Sequence, residues 1–269
     1  MTQYTPQDHA FVICAYKENP YLPECLESLL KQSCKSSISM ITSTPNDFIS
    51  NLCKEKNIPL FINTGEKGLA QDWNFAYEKV ADRKLITIAH QDDIYEPTYL
   101  KTILALVNNS KKPLIAYTEY YEIRNEKRVS FNTLLRIKQL MNFPFRFRVF
   151  QRSKAIRRFI LAFGDSICCP GVTFARENLP MPVFDTSFTT ACDYKALVDI
   201  SPLNGDFLYS PKKLMGHRIY PGSATSANII NKSKAQEDFI IFSSLWPKWI
   251  AKIISRQYRK AEKSNKIDE

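Results

Sequence analysis

Short apolar runs alternate with helical patterns along the first half of the chain, and this alternation indicates the fold class. The runs that predict buried strands are Ala10–Ala15, Ser39–Thr42, Pro59–Asn63, Lys84–Ala89 and Leu114–Tyr121. The intervening patterns that predict helices are 21–33, Asp47–Lys56, Leu69–Val80 and Pro97 to about Val107. This order favours an α/β fold with a mostly parallel sheet flanked by helices. Ligands bind at the carboxyl ends of such strands, so the loops after the first, second and fourth strands form the candidate site.

The second half of the chain changes to basic, aromatic helical patterns. Residues 125–163 interleave Leu, Ile and Phe with Arg and Lys, which predicts amphipathic helices. The elements predicted next are a strand at Gly171–Arg176, a helix at Ala191–Val198 and edge strands at Phe207–Tyr209 and Leu214–Ile219. We therefore expect one sheet domain over 1–225, with a basic helical insertion at 124–163. A basic helical extension is expected over 226–269, with a break near Pro247.

The composition excludes several classes of protein and of site. About 44% of the 269 residues are apolar, too many for a disordered chain. The seven glycines form neither a GxGxxG nor a GxxxxGK[ST] sequence, which argues against a dinucleotide fingerprint and a P-loop. The seven cysteines form no CxxC pair and there are three histidines, so a reducing cytoplasm fits better than a zinc or disulfide framework. The longest apolar stretch, Phe239–Ile254, is too short and too charged to span a bilayer, which takes about 20 residues.

The net charge of +10 is concentrated in two segments. Residues 124–158 contain eleven basic residues and one acid, and residues 248–269 contain seven basic residues and three acids. Arg interleaved with Phe can bind nucleic acid, but no nucleic-acid-binding motif accompanies it here. Basic amphipathic helices also fit the headgroup region of an anionic membrane, which is the partner we expect. The alternative is that both segments pack on the body and their charges are simply solvated.

Two adjacent carboxylates, Asp92 and Asp93, follow the fourth predicted strand. Carboxylates this close repel each other unless a cation or hydrogen-bond donors lie beside them. A divalent metal whose coordination is completed by substrate phosphates would supply that charge, because Mg²⁺ and Mn²⁺ need few protein ligands. The alternative is a solvated loop in which Asp93 caps the helix that begins near Pro97.

Four features in sequence order resemble glycosyltransferase family 2, whose members are inverting, nucleotide-sugar-dependent enzymes with the GT-A fold. They are the first strand with Ala15–Asn19 and Leu22–Gln32, the stretch Gly68–Asn74 followed by Ile86–Pro97, the acidic motif Ala191–Tyr194, and His217–Ser223. The resemblance extends from about Phe11 to about Thr225. It implies a GT-A type sheet that carries the basic helical insertion and the C-terminal extension.

The resemblance also implies roles for individual side chains. Asp92 and Asp93 occupy the position of the family's DXD-type metal site, with Mg²⁺ or Mn²⁺ as cofactor and His217 as a further metal ligand. Asp193 would be the general base that takes the proton from the acceptor hydroxyl. The residues expected to bind the nucleotide sugar are Tyr16, Glu18, Thr42, Gly68, Asn74, Gln91, Asp92 and Arg218. Without the family pattern, Asp193 is read as a helix cap and His217 as a hydrogen-bonded residue of an edge strand.

Two departures from the family pattern concern the donor site. The family commonly has an Asp pair after its second strand, whereas Met40–Pro45 contains no carboxylate and the next one is Asp47. The first Asp of the DXD-type motif is replaced by His90. Base recognition is therefore expected to differ from the family's usual form.

These observations predict a cytoplasmic glycosyltransferase that is peripheral at the inner face of the membrane. It would transfer a sugar from a nucleoside-diphosphate sugar to a hydroxyl of a saccharide or lipid-linked acceptor, with inversion, in polysaccharide or cell-envelope glycan synthesis. One alternative is a sugar-phosphate nucleotidyltransferase, which normally has a Gly-rich loop after the first strand, whereas Ala15–Pro20 contains no Gly. The other is a non-catalytic basic module for nucleic acid or membranes, whose function would survive replacement of Asp92, Asp93 and Asp193.

Overall fold

The apolar runs become strands of one sheet because their side chains are buried on both of its faces. A computed structural model of the chain describes residues 3–221 and 232–263. Its strands are β1 (His9–Ala15), β2 (Ser37–Thr42), β3 (Leu60–Ile62), β4 (Leu85–His90), β5 (Ile94–Tyr95), β6 (Pro113–Arg124), β7 (Lys127–Val129), β8 (Val172–Ala175) and β9 (Asp206–Ile219). Its helices are α1 (Leu22–Leu30), α2 (Asp47–Glu55), α3 (Leu69–Lys79), α4 (Tyr99–Val107), α5 (Thr133–Asn142), α6 (Arg148–Gln151), α7 (Lys154–Leu161), α8 (Cys192–Ile200), α9 (Lys232–Leu245) and α10 (Lys248–Lys263).

The sheet is mixed, and its parallel half matches the alternating pattern of the sequence. Among the described residues the strand order is β3-β2-β1-β4-β8-β6-β9-β5, and β7 pairs with β6. The neighbours β3, β2, β1 and β4 are all parallel, so their carboxyl ends lie along one edge. Strand β8 runs antiparallel to both β4 and β6, and β6 is again parallel to β9. The predicted α/β fold, a sheet flanked by helices, is confirmed.

Strand β1 shows how the two faces of the sheet are filled. Val12 belongs to a buried cluster that includes Trp73 of α3, whereas Phe11 belongs to a second cluster that includes Tyr99 of α4. This alternation follows from the two-residue period of a strand. Because both faces are covered, the site must lie at the ends of the strands, as expected.

The sequence predicts two short edge strands where the structure has the single strand β9. It is one strand of 14 residues that pairs with β6 along its length and with β5 near its end. The exposed Pro211 and Lys212 interrupt the apolar pattern, which is why the sequence predicts two strands. Register shifts between Thr118 and Tyr120 of β6 accommodate this irregular stretch.

The basic insertion was predicted as helical over 124–163, but it begins with the end of β6 and with β7 before forming helices α5, α6 and α7. It packs on the body through a buried arginine. Arg157 is fully buried and donates hydrogen bonds to the carbonyl oxygens of Leu203 and Gly205, each at 2.9 Å. Its guanidinium also lies 4.9 Å from the ring centroid of Phe207. One of the charges expected to face solvent or membrane is therefore structural.

The C-terminal helices α9 and α10 are separated near Pro247, as the sequence predicts. They pack on the body through buried side chains that include Phe242 and Ala251. The expected boundary between residues 225 and 226 lies outside the described residues, as do Gly222 and Ser223 of the last family-like motif. Over the described parts of the chain, we find no helix with the length and hydrophobicity that a membrane span requires.

Candidate functional site

Gln91 joins the loops that follow β1 and β4. Its Oε1 atom accepts a hydrogen bond from the backbone N–H of Tyr16 at 2.9 Å, and its Nε2 atom donates to the carbonyl oxygen of Tyr16 at 3.1 Å. The backbone of the first loop is thereby held, while the Tyr16 ring is 53% exposed and Glu18 is also exposed. Both predicted nucleotide-binding side chains therefore lie on the surface at the expected edge of the sheet.

Thr42, at the end of β2, organises the same edge from inside. It is fully buried, and its hydroxyl accepts a hydrogen bond from the backbone N–H of Thr44 at 3.0 Å. The Thr44 hydroxyl in turn accepts from the backbone N–H of Lys17 at 2.6 Å. Thr42 was predicted to bind the donor, but in this geometry it orders the backbone that surrounds the site.

A carboxylate does lie beside the end of β2, although the sequence after β2 contains none. Asp72 of α3 accepts a hydrogen bond from the Ser43 hydroxyl at 2.8 Å and another from Asn63 Nδ2 at 2.7 Å. Gly68, the predicted glycine, is the residue that precedes α3, and its carbonyl oxygen accepts from the Asp72 N–H at 2.9 Å. Sequence reasoning missed Asp72 because the packing of α3, rather than the motif, decides which of its side chains reaches the strand ends.

Asn74, also on α3, was predicted to face the sugar but is engaged with the protein backbone. Its Nδ2 atom donates to the carbonyl oxygen of Phe184 at 2.7 Å, and its Oδ1 atom accepts from the Phe184 N–H at 3.1 Å. The side chain is also buried. Both amide atoms of Asn74 therefore bond to the backbone in this structure, and its contact with the sugar stays a prediction.

Asp93 is the centre of a buried hydrogen-bond group that includes His217 and Arg218. Its Oδ1 atom accepts from the backbone N–H of Arg218 at 2.9 Å and lies 3.1 Å from His217 Nδ1. Burial lowers the pKa of His217, but the charge and hydrogen bond of Asp93 outweigh this and raise it overall. Asp93 is completely shielded from solvent. It was predicted as a metal ligand, but its geometry is that of a carboxylate that orients a histidine.

Asp92 lies at the solvent side of this group. Burial, followed by the charge of Asp93, raises the pKa of the Asp92 carboxyl, and the interactions with His90 and His217 oppose that rise. Tyr220 forms a hydrogen bond with Asp92, and burial together with the Asp92 charge raises the pKa of Tyr220 to about 12. Its burial and the neighbouring Asp93 therefore make the ionised form of Asp92 less favourable than in water.

Arg218 was predicted to bind the donor diphosphate, but its guanidinium is only 2% exposed. Its Nε atom donates to the carbonyl oxygen of Asp92 at 3.0 Å. Its terminal nitrogens form ion pairs with Glu24 and Glu126, and the guanidinium lies 4.0 Å from the ring centroid of Tyr21. These contacts tie the loop after β4 to α1 and to the β6–β7 turn, which is a structural role.

His90 occupies the position of the missing first acid of the DXD-type motif. Its ring stacks on Trp73 with the centroids 5.3 Å apart, and its Nδ1 atom lies 3.9 Å from Asp93 Oδ2. Trp73 itself is buried. No cluster of three or more His, Cys, Asp or Glu side chains suited to a metal occurs within residues 3–221 and 232–263.

Asp193 lies in the first turn of α8, close to a second acid that sequence reasoning did not identify. Its Oδ1 atom accepts from the N–H of Tyr194 at 2.8 Å. Burial and then the charge of Asp193 raise the pKa of Asp165, while the charge of Lys138 on α5 lowers it. The pKa of the Cys168 thiol is raised mainly by burial, and the charges of Asp93, Asp165 and Asp193 add to that rise.

The comparisons with known proteins bear on the family and the fold of the chain. Residues 6–213 match the sequence model described as glycosyltransferase like family 2. A comparison with curated proteins gives no match. The structure of S. aureus TarS 1-349 in complex with UDP-GlcNAc has a TM-score of 0.61 at 15% identity, covering 93% of this chain and 71% of that chain.

Two further solved structures share the fold at similarly low identity. Mannosyltransferase PcManGT from Pyrobaculum calidifontis, in complex with GDP-Man and Mn²⁺, has a TM-score of 0.60 at 13% identity, covering 98% of this chain and 78% of that one. GalNAc-T7 with UDP, GalNAc and Mn²⁺ has a TM-score of 0.59 at 13% identity, covering 94% and 54%. The fold is therefore the GT-A fold, and the match over residues 6–213 shows that the chain belongs to glycosyltransferase family 2.

Proposed function

We propose that the protein transfers a sugar from a nucleoside-diphosphate sugar to a hydroxyl of a saccharide acceptor, with inversion. The observation that carries the proposal is the pair formed by Asp92, whose pKa is raised by burial and by Asp93, and the oriented His217 beside it. This pair lies at the end of β4, where ligands bind in such sheets. Asp193, in the first turn of α8, supplies a further carboxylate for the reaction.

The nucleotide is proposed to lie along the ends of β1, β2 and β3. The exposed Tyr16 ring offers a surface for the base, and Glu18 can accept from a ribose hydroxyl. Asp72, held by Ser43 and Asn63, supplies the carboxylate that the stretch after β2 lacks. Base recognition would then use an acid from α3.

A divalent metal fits the donor set on one side of this site. We propose Asp92 and His217 as its ligands and Asp93 as the residue that orients His217. Two protein ligands suffice when the diphosphate completes the coordination shell. When bound, the metal would neutralise charge on the departing nucleoside diphosphate. Mn²⁺ is present in the PcManGT and GalNAc-T7 structures, which supports the choice of metal.

Asp193 is proposed to act as the general base. The acceptor oxygen attacks the anomeric carbon, and the bond from that carbon to the phosphate oxygen breaks. The nucleoside diphosphate leaves with the bonding electrons, and the acceptor proton passes to the Asp193 carboxylate. Attack opposite the leaving group inverts the configuration at the anomeric carbon.

A lipid-linked acceptor at the cytoplasmic face of a membrane is proposed from the exposed side chains of the basic insertion, which we call the insertion face. Its exposed apolar side chains are Leu140, Phe143, Phe147, Val149, Phe150, Phe159 and Phe163, of which Leu140 is 74% and Val149 69% exposed. Its exposed basic side chains are Arg136, Arg146, Arg148, Arg152 and Lys154. No acidic residue occurs between positions 127 and 163, so two copies of this face would repel each other, whereas anionic lipid would be attracted.

Hydrolysis of UDP-GlcNAc and GDP-mannose in the presence of Mn²⁺ tests the catalytic proposal. We expect turnover of at least one donor, and Asp193→Asn should lower the rate by about 100-fold or more because no proton acceptor remains. Asp199→Asn is the matched control, since Asp199 lies on the same helix, is exposed and pairs with Lys195. No turnover of either donor, or a wild-type rate for Asp193→Asn, would overturn the proposal.

Vesicle flotation tests the insertion face. We expect binding to vesicles that contain phosphatidylglycerol, weaker binding at high salt, and loss of binding in the double variant Leu140→Ser, Val149→Ser. Ile62→Ser is the control, because Ile62 is an exposed apolar residue on β3. Equal binding to neutral vesicles, or no binding at low salt, contradicts the membrane proposal.

A further inference from the structure

The first turn of α8 carries Asp193 but has no capping side chain of its own. The residue at its N-terminal boundary is Ala191, which has no side-chain oxygen to accept from the helix N–H groups. The preceding residues Thr189 and Thr190 bring two more backbone N–H groups and two hydroxyls to the same point. This start of a helix needs an acceptor from elsewhere in the chain.

Glu237 of α9 is that acceptor. Its Oε1 atom accepts from the backbone N–H of Thr189 at 2.8 Å and from its hydroxyl at 2.7 Å. Its Oε2 atom accepts from the N–H of Thr190 at 2.9 Å, from the Thr190 hydroxyl at 2.7 Å and from the N–H of Ala191 at 2.8 Å. Five hydrogen bonds from three consecutive residues therefore converge on one carboxylate, which is only 8% exposed.

Helix α9 can serve as a fixed support for this carboxylate. Ile241 and Phe242, one turn after Glu237, are fully buried. The Phe242 ring lies 5.9 Å from the ring of Tyr194, which directly follows Asp193. Burial raises the pKa of Glu237, but the hydrogen bonds from Thr189 and Thr190 outweigh it and lower the pKa overall, so the carboxylate is ionised at neutral pH.

Asp193, two residues after Ala191, is the side chain that the contact of Glu237 with residues 189–191 affects. Asp193 is itself an acid in the first turn, and an Asp there readily accepts from the N–H groups at the start of its own helix. Its Oδ1 atom already accepts from the Tyr194 N–H. Without Glu237, the uncompensated donors of Thr190 and Ala191 would compete for the same carboxylate.

We propose that Glu237 is a positioning residue for the general base: it satisfies the start of α8 so that the Asp193 carboxylate remains available to the acceptor. This rests on the proposed function, in which Asp193 accepts the proton. The C-terminal helix α9 is thereby part of the catalytic apparatus as well as an extension of the fold. Glu237 itself touches no reacting atom.

The test compares donor hydrolysis with Mn²⁺ for the wild type, Glu237→Gln, Asp193→Asn and the double variant. The Gln side chain keeps the shape but replaces one acceptor oxygen by a donor group. We expect Glu237→Gln to lower kcat by about 10- to 100-fold, because a small displacement of a catalytic group has effects of this size. The donor KM should change by less than about twofold, and in the Asp193→Asn background the same substitution should change kcat by less than about twofold.

Trp246→Phe provides the matched control for a general loosening of the C-terminal helices. It removes the hydrogen bond from Trp246 Nε1 to the carbonyl oxygen of Ala162, at 2.7 Å, without touching residues 189–191. We expect a lower Tm and an unchanged kcat for this variant.

The outcomes separate the two proposals. A wild-type kcat for Glu237→Gln while Asp193→Asn is inactive overturns the positioning role alone. Effects of the two substitutions that multiply in the double variant also overturn it, since that result indicates a general structural role. Failure of the wild type to hydrolyse either donor, or full activity of Asp193→Asn, overturns the proposed function and the positioning role with it.

Discussion

His9 should make the protein less stable as the pH falls, and a single substitution should remove this effect. The imidazole is fully buried at the start of β1, where its Nε2 atom lies 2.9 Å from the Thr87 hydroxyl and its Nδ1 atom 3.0 Å from the Ser36 hydroxyl. Burial lowers the pKa of His9 from 6.5 to about 3. The folded protein therefore holds His9 neutral at a pH where the unfolded chain protonates it.

The sign and size of the effect follow from this difference in pKa. As the pH falls through 6.5, the unfolded state binds a proton that the folded state does not bind until about 3, so the free energy of unfolding decreases. The contribution of neutral His9 to the free energy of unfolding is fully present above pH 6.5 and declines below it. Between about pH 7.5 and about pH 5 the loss is about 2 kcal/mol, or roughly 4–8 °C in Tm for a domain of this size.

Urea unfolding of the wild type and of His9→Gln over this pH range measures the effect. Gln keeps hydrogen-bonding atoms for Thr87 and Ser36 but does not titrate. Acidic groups such as Glu237 and Glu126 have lowered pKa values in the fold, so their protonation destabilises both proteins equally. Their contribution therefore cancels when the free energies of unfolding of the two proteins are subtracted. We expect the stability difference between the two proteins to change by about 2 kcal/mol. Two parallel curves, with a constant difference at every pH, would refute the reasoning.

Three further substitutions test one backbone conformation and the structural contacts of Asn74 and Arg218. Gly205→Ala should lower the free energy of unfolding by about 1–3 kcal/mol, because φ is +142° and the added Cβ would lie 2.6 Å from a backbone carbonyl oxygen. Gly171→Ala, whose Cβ would meet nothing closer than 3.5 Å, is its control in the same urea titration, and equal effects would contradict the argument. Asn74→Ala should lower the free energy of unfolding by about 2–4 kcal/mol, because it leaves the N–H and C=O of Phe184 unsatisfied, and the donor KM should not change. A large rise in KM without loss of stability would instead support the predicted sugar contact. Arg218→Lys should lower stability by about 1–2 kcal/mol, since Lys cannot make the same set of bonds, and an unchanged urea midpoint would argue against its structural role.

The sequence determined the fold class because its evidence is local. Apolar runs such as Ala10–Ala15 and the helical spacing of 21–33 need no knowledge of distant residues to be read as buried strand and amphipathic helix. Order along the chain then places Asp92 at the carboxyl end of a parallel strand, where the structure has it. The helix at Ala191–Val198 was predicted in the same way, and Asp193 lies in its first turn.

The direction and partners of the site side chains were decided by tertiary structure. Asp92 and Asp93 are neighbours in sequence, yet Asp93 is buried against His217, more than 120 positions away, and only Asp92 lies towards solvent. The sequence predicts Arg218 as a phosphate ligand, whereas in the structure its guanidinium is buried and forms ion pairs with Glu24 and Glu126.

The same reason explains the residues that sequence reasoning missed. Asp72 reaches the end of β2 because α3 packs across the sheet, and Glu237 reaches the start of α8 because α9 docks beside it. Residue type and spacing are local features, so the sequence alone shows which chemical groups the chain can offer. Which atom faces the ligand depends on burial and on hydrogen bonds between elements far apart in sequence, and only the packed structure brings those elements together.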